Sequence, residues 1–224
     1  MTSSSDRARA RRERVQALAR EDILEAALRA FARGGYGDTK IADIAAEAGF
    51  TAASLYTYVP GKKEIFFAAA DHFVSGLEQS FGELPAEPHA DFDAFAADAR
   101  ARIRRICAYG DERSEVLGFF MRLSWSGEPV LHEIRASGAP CSAEIDDCAD
   151  DEHGPLRLHS YFARAWRALG VEDFGVDAGL FSIVVSGTIE SFFVQHHIFK
   201  VGGPLTANAD AIADLLLYGL RGKR

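Results

Sequence analysis

Residues 39–62 read TKIADIAAEAGFTAASLYTYVPGK. Apolar side chains recur three and four positions apart on both sides of Gly49, which is the spacing of an α-helix and not of a strand. We therefore predict one helix from about residue 40 to residue 48 and a second from about residue 52 to residue 58. Two short helices joined through a glycine are typical of a helix-turn-helix, whose second helix enters the major groove of DNA.

The ends of both short helices carry start and stop signals. Thr39 and Thr51 stand just before the two helices, where a threonine hydroxyl caps the free N–H groups of a first turn. Pro60 disfavours helical geometry at Val59, so the second helix is expected to end there.

A longer helix is predicted on each side of this pair. The first covers about residues 12–33 and stops at Gly34 and Gly35, and the second covers about residues 62–81. Their apolar stripes are expected to face a shared core. These stripes are Ile23, Leu24, Ala27, Leu28 and Phe31 on the first helix and Ile65, Phe66, Ala69 and Phe73 on the second.

Downstream the same helical spacing continues, and no stretch alternates as a strand would. The fold class is therefore all-α. Further helices are predicted at about residues 91–109, 112–125, 129–136, 156–169, 176–199 and 207–220. We divide the chain into a flexible basic arm over residues 1–14, a helix-turn-helix domain over residues 15–61, and a helical effector-binding and dimerisation domain over residues 62–224.

Charge is segregated along the chain, whose formal net charge is −8. Residues 1–70 carry 11 basic and 9 acidic side chains, whereas residues 71–224 carry 14 basic and 24 acidic ones. Five arginines stand within the basic arm: Arg7, Arg9, Arg11, Arg12 and Arg14. Such an arm is either a solvated tail or a segment that lies along DNA phosphates.

Composition and motifs exclude several classes of protein. No uncharged apolar run reaches the roughly 18–20 residues that a bilayer span needs, and the first residues lack the apolar centre of a secretory signal. Three cysteines fit a reducing cytoplasm better than a disulfide framework. Neither a zinc-protease helix, a phosphate-binding loop nor a nucleophile elbow occurs, so we do not expect an enzyme and expect no cofactor.

The stretch from Ile23 to Phe66 resembles the tetracycline-repressor (TetR) family of bacterial transcriptional regulators. The residues at the family's spacing are Phe31, Gly35, Tyr36, Thr39, Ile44, Ala45, Ala48, Gly49, Leu55, Tyr56, Tyr58 and Lys62. The resemblance covers about a fifth of the chain. It implies a homodimer that binds a double-stranded DNA operator with its helix-turn-helix domains and releases it when a small molecule binds the C-terminal domain.

The resemblance also places the DNA contacts. Phosphate contacts fall on Tyr56, Tyr58, Lys62, Thr51 and either Thr39 or Lys40, with Arg11 and Arg12 of the arm as additions. Base-reading positions fall on Ala42, Ala52, Ala53 and Thr57. For Tyr56, packing in the core is an equally good interpretation. Lys40 replaces a frequent threonine and Val59 a frequent phenylalanine of the family.

The helix at about residues 176–199 is apolar around most of its circumference, which favours burial against a second copy of the chain. Gly187 would permit a close approach between helices. The expected interface residues are Phe181, Val185, Ile189, Phe192, Phe193, His196 and Leu216. The alternative is that this helix belongs to the core of a single chain.

Aromatic side chains in the second half favour a largely apolar pocket for a hydrophobic or aromatic effector, although stripes of this kind also form ordinary cores. The candidate pocket residues are Phe95, Phe120, Trp125, His159, Phe162, Trp166 and Gln195. The acidic stretch 141–154 contains Cys141, Cys148 and His153, but their spacing is not that of a zinc finger, and we predict no metal site.

The sequence thus predicts a cytoplasmic, dimeric, ligand-responsive repressor. Two alternatives remain open at this point: an all-α sensor or carrier module, and an activator of the same family.

Overall fold

The structure is a computed structural model and describes residues 4–83, 85–126, 178–197 and 199–219. These residues form eight helices and no strand, which confirms the all-α prediction. The helices are α1 (Ser4–Asp38), α2 (Ile41–Glu47), α3 (Ala52–Leu55), α4 (Lys62–Phe81), α5 (Phe92–Glu112), α6 (Ser114–Ser126), α7 (Ala178–His197) and α8 (Leu205–Tyr218). None of them is long and apolar enough to cross a membrane, within the ranges described. The helices predicted at residues 129–136 and 156–169 lie outside those ranges.

The first helix differs from the prediction at its start. It begins at Ser4, so the basic segment that we expected to be a flexible arm is helical. Alanine and arginine are both strong helix formers, and Arg9 pairs with Glu13 one turn later at 2.8 Å, which together favour continuation of the helix. At its other end the helical geometry breaks at Gly35, whose φ of 72° belongs to the left-handed region.

The helix-turn-helix region, residues 15–61, has no core of its own. Phe31 of α1 packs edge-on against Phe66 of α4, with ring centroids 5.3 Å apart. Phe119 of α6 stacks on Phe31 at 6.3 Å and meets Phe66 at 6.2 Å. One hydrophobic cluster therefore joins helices α1 to α4 with α6.

The rest of the described chain is built on α5. Helix α8 lies along it, and their exposed edges are joined by the ion pairs Arg100–Asp214 and Arg104–Asp210. Asp111 near the end of α5 accepts hydrogen bonds from the backbone N–H groups of Leu205 and Thr206, each at 2.9 Å. Because these N–H groups lie in the first turn of α8, the carboxylate caps that helix.

Helix α4 packs closely against α5 where Tyr109 of α5 meets Phe73 and Gly76 of α4. The hydroxyl of Tyr109 donates to the carbonyl of Phe73 at 2.9 Å. Gly76 lies beside it, and a Cβ atom added there would come within 2.8 Å of Tyr109 Cζ. The two helices can approach this closely only because residue 76 has no side chain.

We predict that Gly76→Ala lowers the free energy of unfolding by about 1–3 kcal/mol, because the added methyl group displaces the Tyr109 ring. Urea denaturation followed by circular dichroism measures the change, with Ser75→Ala in the same helix as the matched control. Helix propensity alone predicts the opposite, a gain of up to about 1 kcal/mol for the same substitution. Such a gain would show that the Tyr109 contact does not hold α4.

Candidate nucleic-acid interface

The turn between α2 and α3 is built around Gly49. Its φ of 75° is a conformation that favours glycine. The N–H of Phe50 then bonds back to the carbonyl of Ala45 at 2.8 Å, which closes the turn. The glycine identified from the sequence thus sets the angle between the two short helices.

Thr51 caps α3 as predicted. Its hydroxyl accepts a hydrogen bond from the N–H of Ser54 at 3.1 Å, and the Ser54 hydroxyl accepts one from the N–H of Thr51 at 3.0 Å. This reciprocal pair satisfies two N–H groups and fixes the start of the helix. Leu55 faces the core and is fully buried.

The opposite side of α3 is open to solvent. Ala53 and Thr57 are exposed and Ala52 is half-buried. Tyr56 is 53% exposed, so the packing interpretation of this tyrosine is wrong. Tyr58 is half-buried, and its ring meets the edge of Phe50 at 5.7 Å.

At the start of α2 the two candidates for a phosphate contact have different roles. Thr39 is 5% exposed, and its hydroxyl donates to the carbonyls of Gly35 at 2.6 Å and Ala30 at 3.2 Å. The expectation that its side chain caps α2 or contacts phosphate is therefore wrong, because the hydroxyl closes the end of α1. The N-terminal cap of α2 is Lys40, whose side chain is exposed and whose N–H donates to Asp43 at 3.0 Å.

Lys62 at the start of α4 is held within the chain. Its ammonium donates to the carbonyl of Gly37 at 2.8 Å and lies 4.8 Å from the centroid of the Tyr36 ring. The lysine ties the end of α1 to the start of α4, a role that the sequence did not reveal. Its two remaining N–H groups are the part available to a phosphate.

The other predicted positions, Arg11, Arg12 and Ala42, are exposed. The two arginines lie on the helical start of α1, where the sequence predicted a flexible arm.

A chain of ion pairs connects this region to the body of the protein. Glu25 of α1 accepts a hydrogen bond from Arg113, between α5 and α6, at 2.9 Å, and lies 2.9 Å from Nε2 of His72 on α4. One and two turns further along α1, Arg29 and Arg33 both pair with Glu47 of α2. The spacing of residues 25, 29 and 33 on one helix face was the sequence signal for this network, and sequence reasoning missed it.

These contacts shift the ionisation of both carboxylates. Burial by itself raises the pKa of Glu25, but the hydrogen bonds and positive charges of Arg113 and His72 outweigh it, and the pKa lies below its ordinary value of 4.5. Hydrogen bonds from Arg33 and then Arg29 lower the pKa of Glu47 in the same way. Both carboxylates are charged at neutral pH and bind their arginines as ions.

Three of the predicted pocket residues, Phe95, Phe120 and Gln195, have described side chains, and these lie in different surroundings. Phe95 is a core residue, fully buried beside Phe81 and Ala99, whereas Phe120 is half-buried and stacks on Phe73 at 5.2 Å. Gln195 is exposed on α7. Trp125 lies on α6. His159, Phe162 and Trp166 lie outside the described residues.

A different cleft opens between α6 and α7, with a volume of about 240 Å³. Its lining combines apolar and charged side chains, namely Ser114, Glu115, Gly118, Met121, Arg122, Glu190, Phe193, Val194 and His197. Sequence analysis did not identify this group, since it draws on two helices that lie far apart in the chain.

Most of the predicted dimer residues with described side chains face their own chain. Phe193 is 4% exposed in a cluster with Ile212 and Cys107, so its assignment to a dimer interface is wrong. Ile189, Phe192 and Leu216 also pack against these clusters. His196 is half-buried, and its Nδ1 lies 3.3 Å from the carbonyl of Gly202. Phe181 and Val185 lie on α7.

Within the described ranges no three His, Cys, Asp or Glu side chains are grouped so that they could hold a metal ion. Cys141, Cys148 and His153 fall outside those ranges. Cys107 is buried, and burial followed by the charge of Asp111 raises the pKa of its thiol to about 12, which leaves it unreactive at neutral pH.

We predict that Glu25→Gln lowers the free energy of unfolding by about 1–2 kcal/mol at pH 7, between the values for exposed and buried ion pairs. The pKa of Glu25 is lower in the folded chain than in the unfolded one, so its contribution is complete above the unfolded pKa and is lost as the pH falls through the folded one. The difference between variant and wild type should therefore vanish in acid.

Urea denaturation between pH 7 and pH 3 measures this difference, and Glu13→Gln is the control because the Glu13–Arg9 pair is exposed. A constant difference at all these pH values would contradict an ionic role for Glu25.

Comparisons with known proteins bear on the same region. Residues 23–69 match the family model described as bacterial regulatory proteins of the tetR family. No curated protein sequence matches the chain.

Solved structures share the fold over almost the whole chain. The fatty acid degradation regulator FadR from Bacillus halodurans is 18% identical, with a TM-score of 0.65 over 92% of this chain and 97% of that one. The regulator FadR from Bacillus subtilis, in complex with stearoyl-CoA, is 18% identical, with a TM-score of 0.62 over 89% and 98%. Thermus thermophilus FadR, a TetR-family transcriptional repressor in complex with lauroyl-CoA, is 16% identical, with a TM-score of 0.57 over 92% and 96%.

The resemblance inferred from residues 23–66 is thereby confirmed: residues 23–69 match the tetR-family model, and the chain shares the helical fold of these regulators.

Proposed function

We propose that the protein is a homodimeric repressor that binds a palindromic DNA operator in the cytoplasm and releases it when a small, largely hydrophobic molecule binds the C-terminal domain. The observation that carries this proposal is the solvent-exposed side of α3 within a region that matches the tetR family.

The exposed side of α3 suits contact with bases through short side chains. Ala53 and Thr57 allow the backbone to approach the floor of the major groove, and their methyl groups suit contact with thymine. Arginine, the usual reader of guanine, is absent from residues 52–58. Apolar contacts and DNA shape therefore carry more of the specificity than hydrogen bonds to guanine.

Phosphate contacts come from the edges of this surface. Lys40 and Tyr56 are exposed, and neither uses its side chain in a hydrogen bond or ion pair among the described residues. Lys62 adds a donor from the start of α4. Of these three, Lys40 is the cleanest test, because substituting Lys62 would also release the end of α1.

Dimerisation would use the side of α7 that the described part of the chain leaves open. Val184 is 48% exposed, Ser191 is exposed, and a Cβ atom added at Gly187 would have no neighbour within 4 Å. This stripe differs from the residues first expected, most of which pack inward. Two DNA-binding domains held in this way favour an operator with two-fold symmetry.

The class of effector is proposed from the ligands in two of the similar solved structures. Two of the solved structures are complexes with acyl-CoA thioesters, which combine a long apolar chain with an anionic portion. An effector that combines an apolar body with an anionic group is therefore the first class to test. An activator would use the same surfaces, so the sign of regulation is decided by transcription from the operator with and without effector.

The DNA-binding proposal is tested by selecting binding sequences from random duplexes with the full chain, followed by anisotropy titration at several salt concentrations. We expect a palindromic sequence to be enriched. The slope of log affinity against log salt concentration should become less steep by about 0.9 in Lys40→Gln for each Lys40 that contacts a phosphate.

The matched control is Lys200→Gln, which removes an exposed lysine beyond the end of α7. It should leave the slope unchanged. If no sequence is enriched, the chain is not a sequence-specific regulator and the sensor or carrier alternative gains support.

For the dimer, we predict that Val184→Asp converts the protein to monomers, because a carboxylate would be buried without a partner between two chains. Light scattering after size-exclusion chromatography gives the mass. Val15→Asp is the control, since Val15 is 59% exposed on α1. A wild-type monomer, or a dimer that survives Val184→Asp, would refute this interface.

A further inference from the structure

The cleft between α6 and α7 has an apolar floor made by Met121, Phe193 and Val194. Gly118 keeps it open. A Cβ atom added at this glycine would lie 3.3 Å from Phe193 Cζ and 3.3 Å from Nη1 of Arg122, so a larger side chain would narrow the space between them.

One wall of the cleft carries a polar atom that lacks a partner. The ring of His197 stacks on Phe193 with centroids 4.2 Å apart. Its Nε2 is buried and has no hydrogen-bond partner in the described part of the chain. Burial, and then the neighbouring His196, lower the pKa of His197, so the ring is neutral at pH 7. A buried ring nitrogen without a hydrogen bond carries a desolvation cost in the folded chain.

Arg122 lines the same cleft and has donors to spare. One of its N–H groups donates to the carbonyl of Ala32, in the last regular turns of α1, at 3.4 Å. Among the described residues it forms no ion pair with a carboxylate. Glu115 and Glu190 also line the cleft, and Glu115 interacts electrostatically with Arg33 on α1.

We propose that the cleft binds a small amphipathic carboxylate, with its apolar body against Phe193 and Met121 and its carboxylate on the guanidinium of Arg122. Arginine and carboxylate form two parallel charge-assisted hydrogen bonds, which an amide in the same position cannot match. The inference rests on the proposed function in one respect, namely that this occupant acts as the effector.

The same contact gives the occupant a way to affect the DNA-binding domain. An arginine at the end of α1 satisfies a free carbonyl and interacts favourably with the negative end of the helix dipole. A carboxylate that pairs with Nη1 and Nη2 competes with the carbonyl of Ala32 for the Nη2 donor, in the turn where Arg33 holds Glu47 of α2. Arg122 thus belongs to both the ligand site and the support of the helix-turn-helix.

The test compares 2-naphthoate with 2-naphthamide, which have the same shape but differ in charge, by calorimetric titration into the full chain without DNA. We expect 2-naphthoate to bind at least about tenfold more tightly. Arg122→Gln should abolish this preference, and Arg122→Lys should retain part of it. Gly118→Val should weaken the binding of both probes. The control is Arg20→Gln, at an exposed arginine of α1, which should leave the affinities of both probes unchanged.

Equal affinities of the two probes for the wild type, or an unchanged preference in folded Arg122→Gln, would overturn the proposal. So would tighter binding of 2-naphthylmethylammonium, which would assign the recognition to Glu190. Absence of binding of all three probes at about 1 mM would also overturn it.

DNA binding measured on the same samples separates the two hypotheses. If the protein binds its selected DNA but not 2-naphthoate, only the proposed carboxylate site is rejected. If the protein binds 2-naphthoate through Arg122 but enriches no DNA sequence, the carboxylate site is supported and the proposed function is rejected.

Discussion

The packing of Phe31, Phe66 and Phe119 is the contact on which the rest of the structure depends. These rings come from α1, α4 and α6, and each pair has centroids 5.3–6.3 Å apart. The apolar residues of the helix-turn-helix region form one cluster with those of α4 and α6. The position of α6 and the orientation of the candidate DNA-binding surface are therefore set by the same side chains.

Ion pairs then fix the small rotations between helices that the aromatic core permits. Aromatic packing tolerates small rotations, whereas paired ions require defined positions of both partners. Glu25 holds α1 to α4 and to the start of α6 through His72 and Arg113, and Glu47 holds α2 to α1 through Arg29 and Arg33. The charged form of Glu25 that the low pKa favours is the form that these partners need.

Local patterns in the sequence predicted the parts of the fold that depend on neighbouring residues. The bounds of α4, the cap at Thr51 and the turn at Gly49 follow from propensity and capping, which act within one turn of helix. The tether formed by Lys62 and the inward packing of Phe193 depend on residues distant in the chain, and a single sequence carries no signal for them. The cleft was missed for the same reason, because Arg122 and His197 are 75 positions apart.

A single hydrogen bond limits how strongly the cleft can act on DNA binding. The contact between Arg122 and the carbonyl of Ala32 is long, and a hydrogen bond of this kind contributes about 1 kcal/mol at most, which changes an equilibrium about fivefold. An occupant shifts the population only by the difference in its affinity for the two arrangements. In the proposed dimer two clefts act on one operator, so the factors multiply to about 25-fold. A regulator with a larger response needs a second contact that changes with occupancy, beyond the hydrogen bond from Arg122 to Ala32.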